Sequence, residues 1–270
     1  MTGFFRALVL LAAAALLTAQ APPASLRQPI KGWGLDYGDT ACTALRTYGS
    51  AASPITLAFR PSPSGSVVRL VVVRPGRGPP AHYFNVTTNI SGHRAKTTGL
   101  RFASARAKQD VIWINLERSD FDALPAAGEI AIRAGGVINE RFALPGIGAV
   151  LKGLDECNAD LRRHWNVGAA GTPLASYAQP VRPLAAYFSD SDYPGQAVFD
   201  GASGRSEMML MIDETGALKD CLIEQTSGIA SLDATACAVL IQRARFRPAR
   251  DPDGRPVRSV LTASVVWRMP

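Results

Sequence analysis

Cysteine and histidine are two residue types that could bind a metal or take part in catalysis, and cysteines can also form disulfides. The four cysteines and three histidines are Cys42, Cys157, Cys221, Cys237, His82, His93 and His164. Zinc sites place cysteines about two to four residues apart or combine them with closely spaced histidines, and this chain has no such spacing. We therefore expect no metal and no other cofactor. An even number of cysteines favours disulfides instead, provided that the chain is exported.

Catalysis would need additional side chains in a recognisable arrangement. The chain contains no G-x-S-x-G, no H-E-x-x-H and no phosphate-binding glycine loop. The acidic pair Asp120 and Asp122 lies where a short helix is expected to begin, a position that favours acids in any case. We predict no catalytic residue and no enzyme. An exported enzyme in the N-terminal part of the chain is the alternative, since a fold by itself does not decide function.

The basic net charge of +7 raises the question of a nucleic-acid partner. The basic residues are scattered along the chain, and nowhere do five of them follow one another. Such scatter is typical of a solvated basic surface and not of a nucleic-acid patch. We therefore predict no nucleic-acid partner.

The N-terminus has the order of a secretory signal peptide. Arg6 precedes the apolar run 7–17, and Ala19-Gln20-Ala21 follows as a small-residue cleavage sequence. The apolar run has 11 residues, whereas a membrane-spanning helix needs about 20. We predict that residues 1–21 are a signal peptide and that the mature protein is periplasmic. The alternative is an uncleaved leader that anchors the protein in the inner membrane.

Residues 30–165 are predicted to form a mostly antiparallel β domain of unknown role. Five segments have the β-branched and aromatic content of strands and end at Gly, Pro or Ser. They are 55–60, 67–73, 82–86, 111–116 and 129–133. A helix over 147–165 follows, because its apolar residues recur three or four positions apart. This helix is expected to close the domain, with Cys157 on its buried stripe.

The remaining chain is divided into a linker and a small C-terminal domain. Residues 166–192 are rich in proline and small residues, which is typical of a linker. Residues 193–270 predict the order β-β-α-β, with strands at 207–212, 218–225 and 260–267 and a helix that Ser231 caps. The predicted fold class for the whole chain is therefore α+β.

The predicted elements select one pairing of the four cysteines. Cys42 is the other cysteine of the β domain and can meet Cys157 on the closing helix. Cys221 points to the face of its strand that the C-terminal helix must cover, and Cys237 lies on that helix. We predict these two disulfides; four free buried thiols are the alternative.

The C-terminal segment also resembles a known family. Its characteristic residues are Tyr193-Pro194, Gly204, Asp213 to Gly216, Ser227-Gly228, Leu232-Asp233, Phe246-Arg247-Pro248-Ala249 and Gly254. They occur in the order and at about the spacing of the C-terminal domains of TonB energy transducers. The resemblance is carried by the ordered set, since no single dipeptide is specific.

The resemblance implies a protein-binding function. Well-known members of the family add an extended segment of an outer-membrane transporter to their sheet as a further strand, which satisfies the unpaired groups of a sheet edge. For this chain it implies an envelope protein as partner, such as the N-terminal segment of an outer-membrane transporter. The residues carried over for partner contacts are Tyr193, Pro194, Val260, Thr262, Ser264 and Val266.

Two departures from the family favour binding over energy transduction. Energy transducers keep a membrane-spanning N-terminal helix with a polar histidine and continue into a long linker rich in Pro, Lys and Glu. Residues 4–19 contain no histidine, and the predicted β domain occupies the place of that linker. We predict a periplasmic interaction protein that touches a membrane only if its leader is retained. An inner-membrane energy transducer is the alternative, and the oligomeric state is left open.

Overall fold

The computed structural model of the protein describes residues 24–65, 67–104 and 108–269. The predicted signal peptide, 1–21, lies outside the described residues. The described chain begins with a large antiparallel sheet and ends with a small sheet and a helix.

Ten strands of the described chain form the large sheet. They are β1 (Leu26–Arg27), β2 (Gly34–Tyr37), β3 (Cys42–Gly49), β4 (Pro54–Pro61), β5 (Val67–Pro75), β6 (His82–Ile90), β7 (His93–Ser104), β8 (Gln109–Glu117), β9 (Glu129–Ala134) and β10 (Ile138–Ala143). Their spatial order is β1-β10-β9-β6-β7-β8-β5-β4-β3-β2. The pairs are antiparallel except that of β1 with β10.

One face of the large sheet is covered by helices. Two short helices, α1 (Arg118–Asp122) and α2 (Leu124–Ala127), follow β8, and α3 (Ile147–His164) follows β10. Alternate residues of β5 show why the sheet has a buried face, since Val68, Leu70 and Val72 are all at most 1% exposed. The apolar stripe of α3 belongs to the same core and ends at the fully buried Trp165. The large sheet and α3 therefore share one core.

The C-terminal part contains the small sheet. Its elements, with the short strands beside them, are β11 (Gln179–Pro180), α4 (Gly195–Phe199), β12 (Gly204–Ile212), β13 (Leu218–Gln225), α5 (Ala230–Arg243), β14 (Phe246–Arg247), β15 (Ala249–Arg250), β16 (Pro256–Val257) and β17 (Ser259–Trp267). The small sheet has the order β13-β12-β17, with both pairs antiparallel. Its central strand, β12, is thus covered on both edges.

Both faces of the small sheet are apolar. Met208 and Leu210 on β12 pack with α5, in a core that also holds Leu240. The intervening residues Met209 and Met211 point the other way and belong to the core of the large sheet. The small sheet therefore lies between α5 and the large sheet.

Residues 166–192, predicted to be a linker, contain short ordered elements. Three 3₁₀ turns (Gly168–Ala170, Leu184–Tyr187 and Asp190–Asp192) accompany β11, which pairs with β14. Ala178 and Tyr187 of this segment are buried in the core of the small sheet and α5. The segment thus packs on the C-terminal part, while the division of the chain into domains stays a prediction.

The predicted α+β class is confirmed, with a large β-rich part followed by a small β-β-α-β unit. Each of the five predicted N-terminal strands lies within an observed strand, and the predicted closing helix corresponds to α3. The prediction missed the other five strands of the large sheet, which are β1, β2, β3, β7 and β10. Ser231 does not cap α5: it lies inside the helix, and the N-cap residue is Ile229, without a side-chain cap.

The structure places the sulfur atoms of each predicted cysteine pair at disulfide distance. Cys42 and Cys157 join the first residue of β3 to α3, across 115 positions of sequence. Cys221 and Cys237 join β13 to α5, across 16 positions. One bridge therefore fixes α3 to the large sheet, and the other fixes α5 to the small sheet.

The two disulfides should stabilise the protein to different extents, because the loops that they close differ in length. Replacing Cys42 and Cys157 by alanine should lower the free energy of unfolding by about 4 to 5 kcal/mol, because the loop they close is long, whereas replacing Cys221 and Cys237 should cost about 3 kcal/mol. Chemical denaturation of the oxidised proteins measures both values. The double variants serve as each other's control, and a larger loss for the short loop would contradict the expectation.

Candidate functional site

The two residues predicted to begin the partner site are Tyr193 and Pro194, and both make contacts at the start of the C-terminal domain. The Tyr193 hydroxyl donates a hydrogen bond of 2.5 Å to the carbonyl of Ala202. Its ring stands edge-on to Trp267, with centroids 5.3 Å apart. Pro194 is the N-cap residue of α4. The structure therefore gives this pair contacts within the domain, next to the last residue of β17.

The other four predicted partner residues lie on β17 and share one face of it. Val260 packs against the core of the large sheet. Thr262 and Val266 are exposed, Val266 by 51%, and Ser264 is half-buried. The large sheet therefore covers this face of β17 at Val260. Towards the C-terminal end of the strand, the same face is exposed to solvent.

β17 is an edge strand of the small sheet. All nine of its residues are in register with β12 on one side. Within the described residues, β17 makes no backbone hydrogen bond on its other side. Half of the N–H and C=O groups of such a strand point outward and can accept a further strand.

The two edges of the small sheet differ in charge. Proteins commonly protect exposed edges with lysine or other charged residues, and the outer strand β13 carries exposed Lys219 together with Asp220 and Glu224. The sequence of β17, from Ser259 to Trp267, contains no charged residue. The edge at β17 therefore lacks the usual protection against strand pairing.

The sequence interpretation missed an exposed aromatic residue that follows Tyr193-Pro194 by a few positions. Phe199, the last residue of α4, is 86% exposed, and the adjacent Val198 is 40% exposed. An apolar pair following Tyr193-Pro194 was the only signal in the sequence, and nothing in it indicated that the side chains face water. These residues give α4, which precedes β12 in the sequence, an exposed apolar surface.

Asp233 organises the start of α5. It is 2% exposed, and its carboxylate accepts hydrogen bonds from the hydroxyls of Ser206 and Thr226 and from the backbone N–H of Ser227. It also accepts one of 2.5 Å from the hydroxyl of Tyr83 on β6. These donors satisfy the hydrogen-bonding capacity of a side chain that is almost fully buried. Asp233 therefore connects the small sheet, α5 and the large sheet.

Comparison with family models gives a match over residues 189–269, to the Gram-negative bacterial TonB protein C-terminal family. The C-terminal part of the chain is a TonB C-terminal domain. This match agrees with the resemblance seen in the ordered motifs, and it indicates a TonB-like envelope protein involved in transport interactions. A comparison with curated proteins found no match.

The TonB C-terminal domain is an interaction domain and not an enzyme, and this applies to residues 189–269. In the described part of the chain, no group of three or more His, Cys, Asp or Glu side chains is placed to hold a metal. The helices of that part are all too short or too polar to cross a membrane.

The TonB C-terminal domain and the large sheet enclose a cleft of about 920 Å³. Arg60 on β4 and Asp220 on β13 form an ion pair of 2.8 Å at the cleft. Tyr83 and Asp233 make a second link across it. Burial, and then the hydrogen bond to Asp233, raise the pKa of Tyr83, so this phenol stays protonated and able to donate. The cleft wall thus includes polar links between the two parts.

The network around Asp233 predicts a stability effect. Asp233→Asn should lower the free energy of unfolding by about 2 to 4 kcal/mol, because the amide cannot accept from all of these donors and leaves buried ones unsatisfied. Urea denaturation of the full chain measures the change. Asp200→Asn is the matched control: Asp200 is exposed, and its replacement should change stability by less than about 0.5 kcal/mol. Equal stability of the two variants would contradict this role of Asp233.

Proposed function

We propose that the protein is a periplasmic interaction protein whose TonB C-terminal domain binds an extended segment of an envelope partner by strand addition to β17. The segment is of the kind found at the N-terminus of outer-membrane transporters. The observation that carries the proposal is the outer edge of β17, which is unpaired within the described residues and uncharged. A segment in extended conformation satisfies such an edge through main-chain hydrogen bonds.

The packing of the small sheet favours edge binding over face binding. One face is occupied by α5 and the other, around Met209 and Met211, by the large sheet. A partner that lay flat on the sheet would have to displace one of these layers. Strand addition at β17 requires no displacement, and so it is the route with the lower cost.

Side chains next to the edge can supply selectivity. Thr262, Ser264 and Val266 alternate along the open part of one face of β17, where the alternate side chains of an added strand would lie beside them. Phe199 offers a large apolar contact on the domain surface. Main-chain pairing would then provide affinity, and these side chains would select among partners.

The cysteine pairs support the proposed location. Both pairs are at disulfide distance, and disulfides persist in oxidising compartments such as the bacterial periplasm. Binding without energy transduction fits a soluble mature chain in that compartment. Mass spectrometry of the mature protein tests this part, and we expect a chain that starts after Ala21.

Titration of the ¹⁵N-labelled full chain with synthetic N-terminal peptides of outer-membrane transporters tests the proposed binding. We expect chemical-shift changes and slowed hydrogen exchange for the amides of β17, because added pairing protects them. The double variant Thr262→Lys and Val266→Lys should weaken binding at least about tenfold, or roughly 1.4 kcal/mol, since edge lysines oppose strand pairing.

The double variant Ala238→Lys and Gln242→Lys is the matched control. It adds the same charge on the exposed surface of α5, and we expect unchanged peptide affinity. Peptide-induced shifts confined to β13 or α5, or equal weakening by both double variants, would show that β17 is not the binding edge.

A further inference from the structure

The cleft between the large sheet and the TonB C-terminal domain has mainly apolar walls. Leu100, Phe102 and Trp113 lie on the same face of β7 and β8 and form one wall. Ile223 on β13 and Ala234 on α5 belong to the opposite wall. A cleft of about 920 Å³ falls within the usual size of small-molecule sites, about 300 to 1,000 Å³.

Arg69 places a cation in this apolar cleft. Its guanidinium stacks on Trp113, with the carbon atom 4.6 Å from the ring centroid. Its hydrogen bond to the described residues is a long one, 3.3 Å to the carbonyl of Ile223. Burial, followed by the nearby Arg60, lowers the pKa of Arg69 to about 10, so the group stays charged at neutral pH.

Within the described residues, no carboxylate forms an ion pair with Arg69. Asp220 lies near enough to act on it electrostatically, but its carboxylate is paired with Arg60. Asp233, the other carboxylate of the lining, already accepts hydrogen bonds from side chains and backbone around it. Charged groups in apolar surroundings are normally paired. Among the described residues, Arg69 therefore has no paired anion, although its surroundings favour one.

We propose that this cleft binds a small apolar molecule that carries one carboxylate, with the carboxylate on Arg69 and the apolar part against Leu100, Phe102 and Trp113. A guanidinium is suited to bind a carboxylate through two parallel hydrogen bonds. The apolar walls then remove the rest of the molecule from water. The site is separate from the edge of β17 and does not depend on peptide binding there.

Calorimetric titration of the full chain with decanoate and with 1-naphthylacetate, each below its aggregation concentration, tests the proposal. We expect at least one of them to bind, and to bind at least about tenfold more tightly than the alcohol of the same carbon skeleton. Arg69→Met should remove this preference and leave alcohol binding unchanged, because methionine keeps the packing but not the charge. Arg94→Met, at an exposed position of β7, is the charge-matched control and should retain it.

A second pair of variants tests the location. Ala234→Trp puts a large side chain on the cleft wall, whereas Ala238→Trp, one turn later on exposed α5, does not line the cleft. We expect loss of carboxylate binding only in the first. The lysine variant of β17 should bind the carboxylate normally, which separates this site from the proposed peptide edge.

Three results would each overturn the proposal. The first is no binding of either carboxylate up to about 1 mM, and the second is equal binding of acid and alcohol. The third is a carboxylate affinity that Arg69→Met and Ala234→Trp leave unchanged.

Discussion

Apolar side chains on both faces of the small sheet have to leave water, and this requirement determines how the two parts of the chain are arranged. On β12, Met208 and Leu210 face α5, and Met209 and Met211 face the large sheet. Fully burying a methionine contributes roughly 1.5 to 3 kcal/mol. Exposing the second face would therefore forfeit several kcal/mol, which is a large part of the net stability of a typical protein. The large sheet thus acts as the second cover of the TonB C-terminal domain.

Polar links then fix the orientation of the two parts where their surfaces separate. Asp220 meets Arg60 on β4, and Asp233 meets Tyr83 on β6. Between these contacts the surfaces do not close, and a cleft remains. The same packing leaves the outer edge of β17 unpaired within the part of the chain that the structure describes. Coverage of the faces thus concentrates the accessible binding features of the domain at one edge and one cleft.

Regular patterns made several elements predictable. The apolar residues of α3 recur three or four positions apart, so periodicity found this helix, whereas the β-branched content of β5 found that strand. β7 was missed because its sequence, HRAKTTGLRFAS, is polar over its first half and interrupted by Gly99. β7 pairs on both sides, with β6 and β8, so neighbouring strands hold a segment whose own pattern is weak.

The sequence by itself determined the α+β class, the cysteine pairs that the structure places together and the TonB C-terminal domain, because periodicity and ordered motifs are local properties of a chain. It also supplied the last strand, predicted at 260–267, as a candidate edge. Only the tertiary structure decided that the large sheet covers the face opposite α5 and that Asp233 meets a tyrosine 150 positions away. It also decided that Arg69 faces a cleft without an ion-paired carboxylate among the described residues. These depend on contacts between segments far apart in sequence, and no local pattern in either segment specifies its partner.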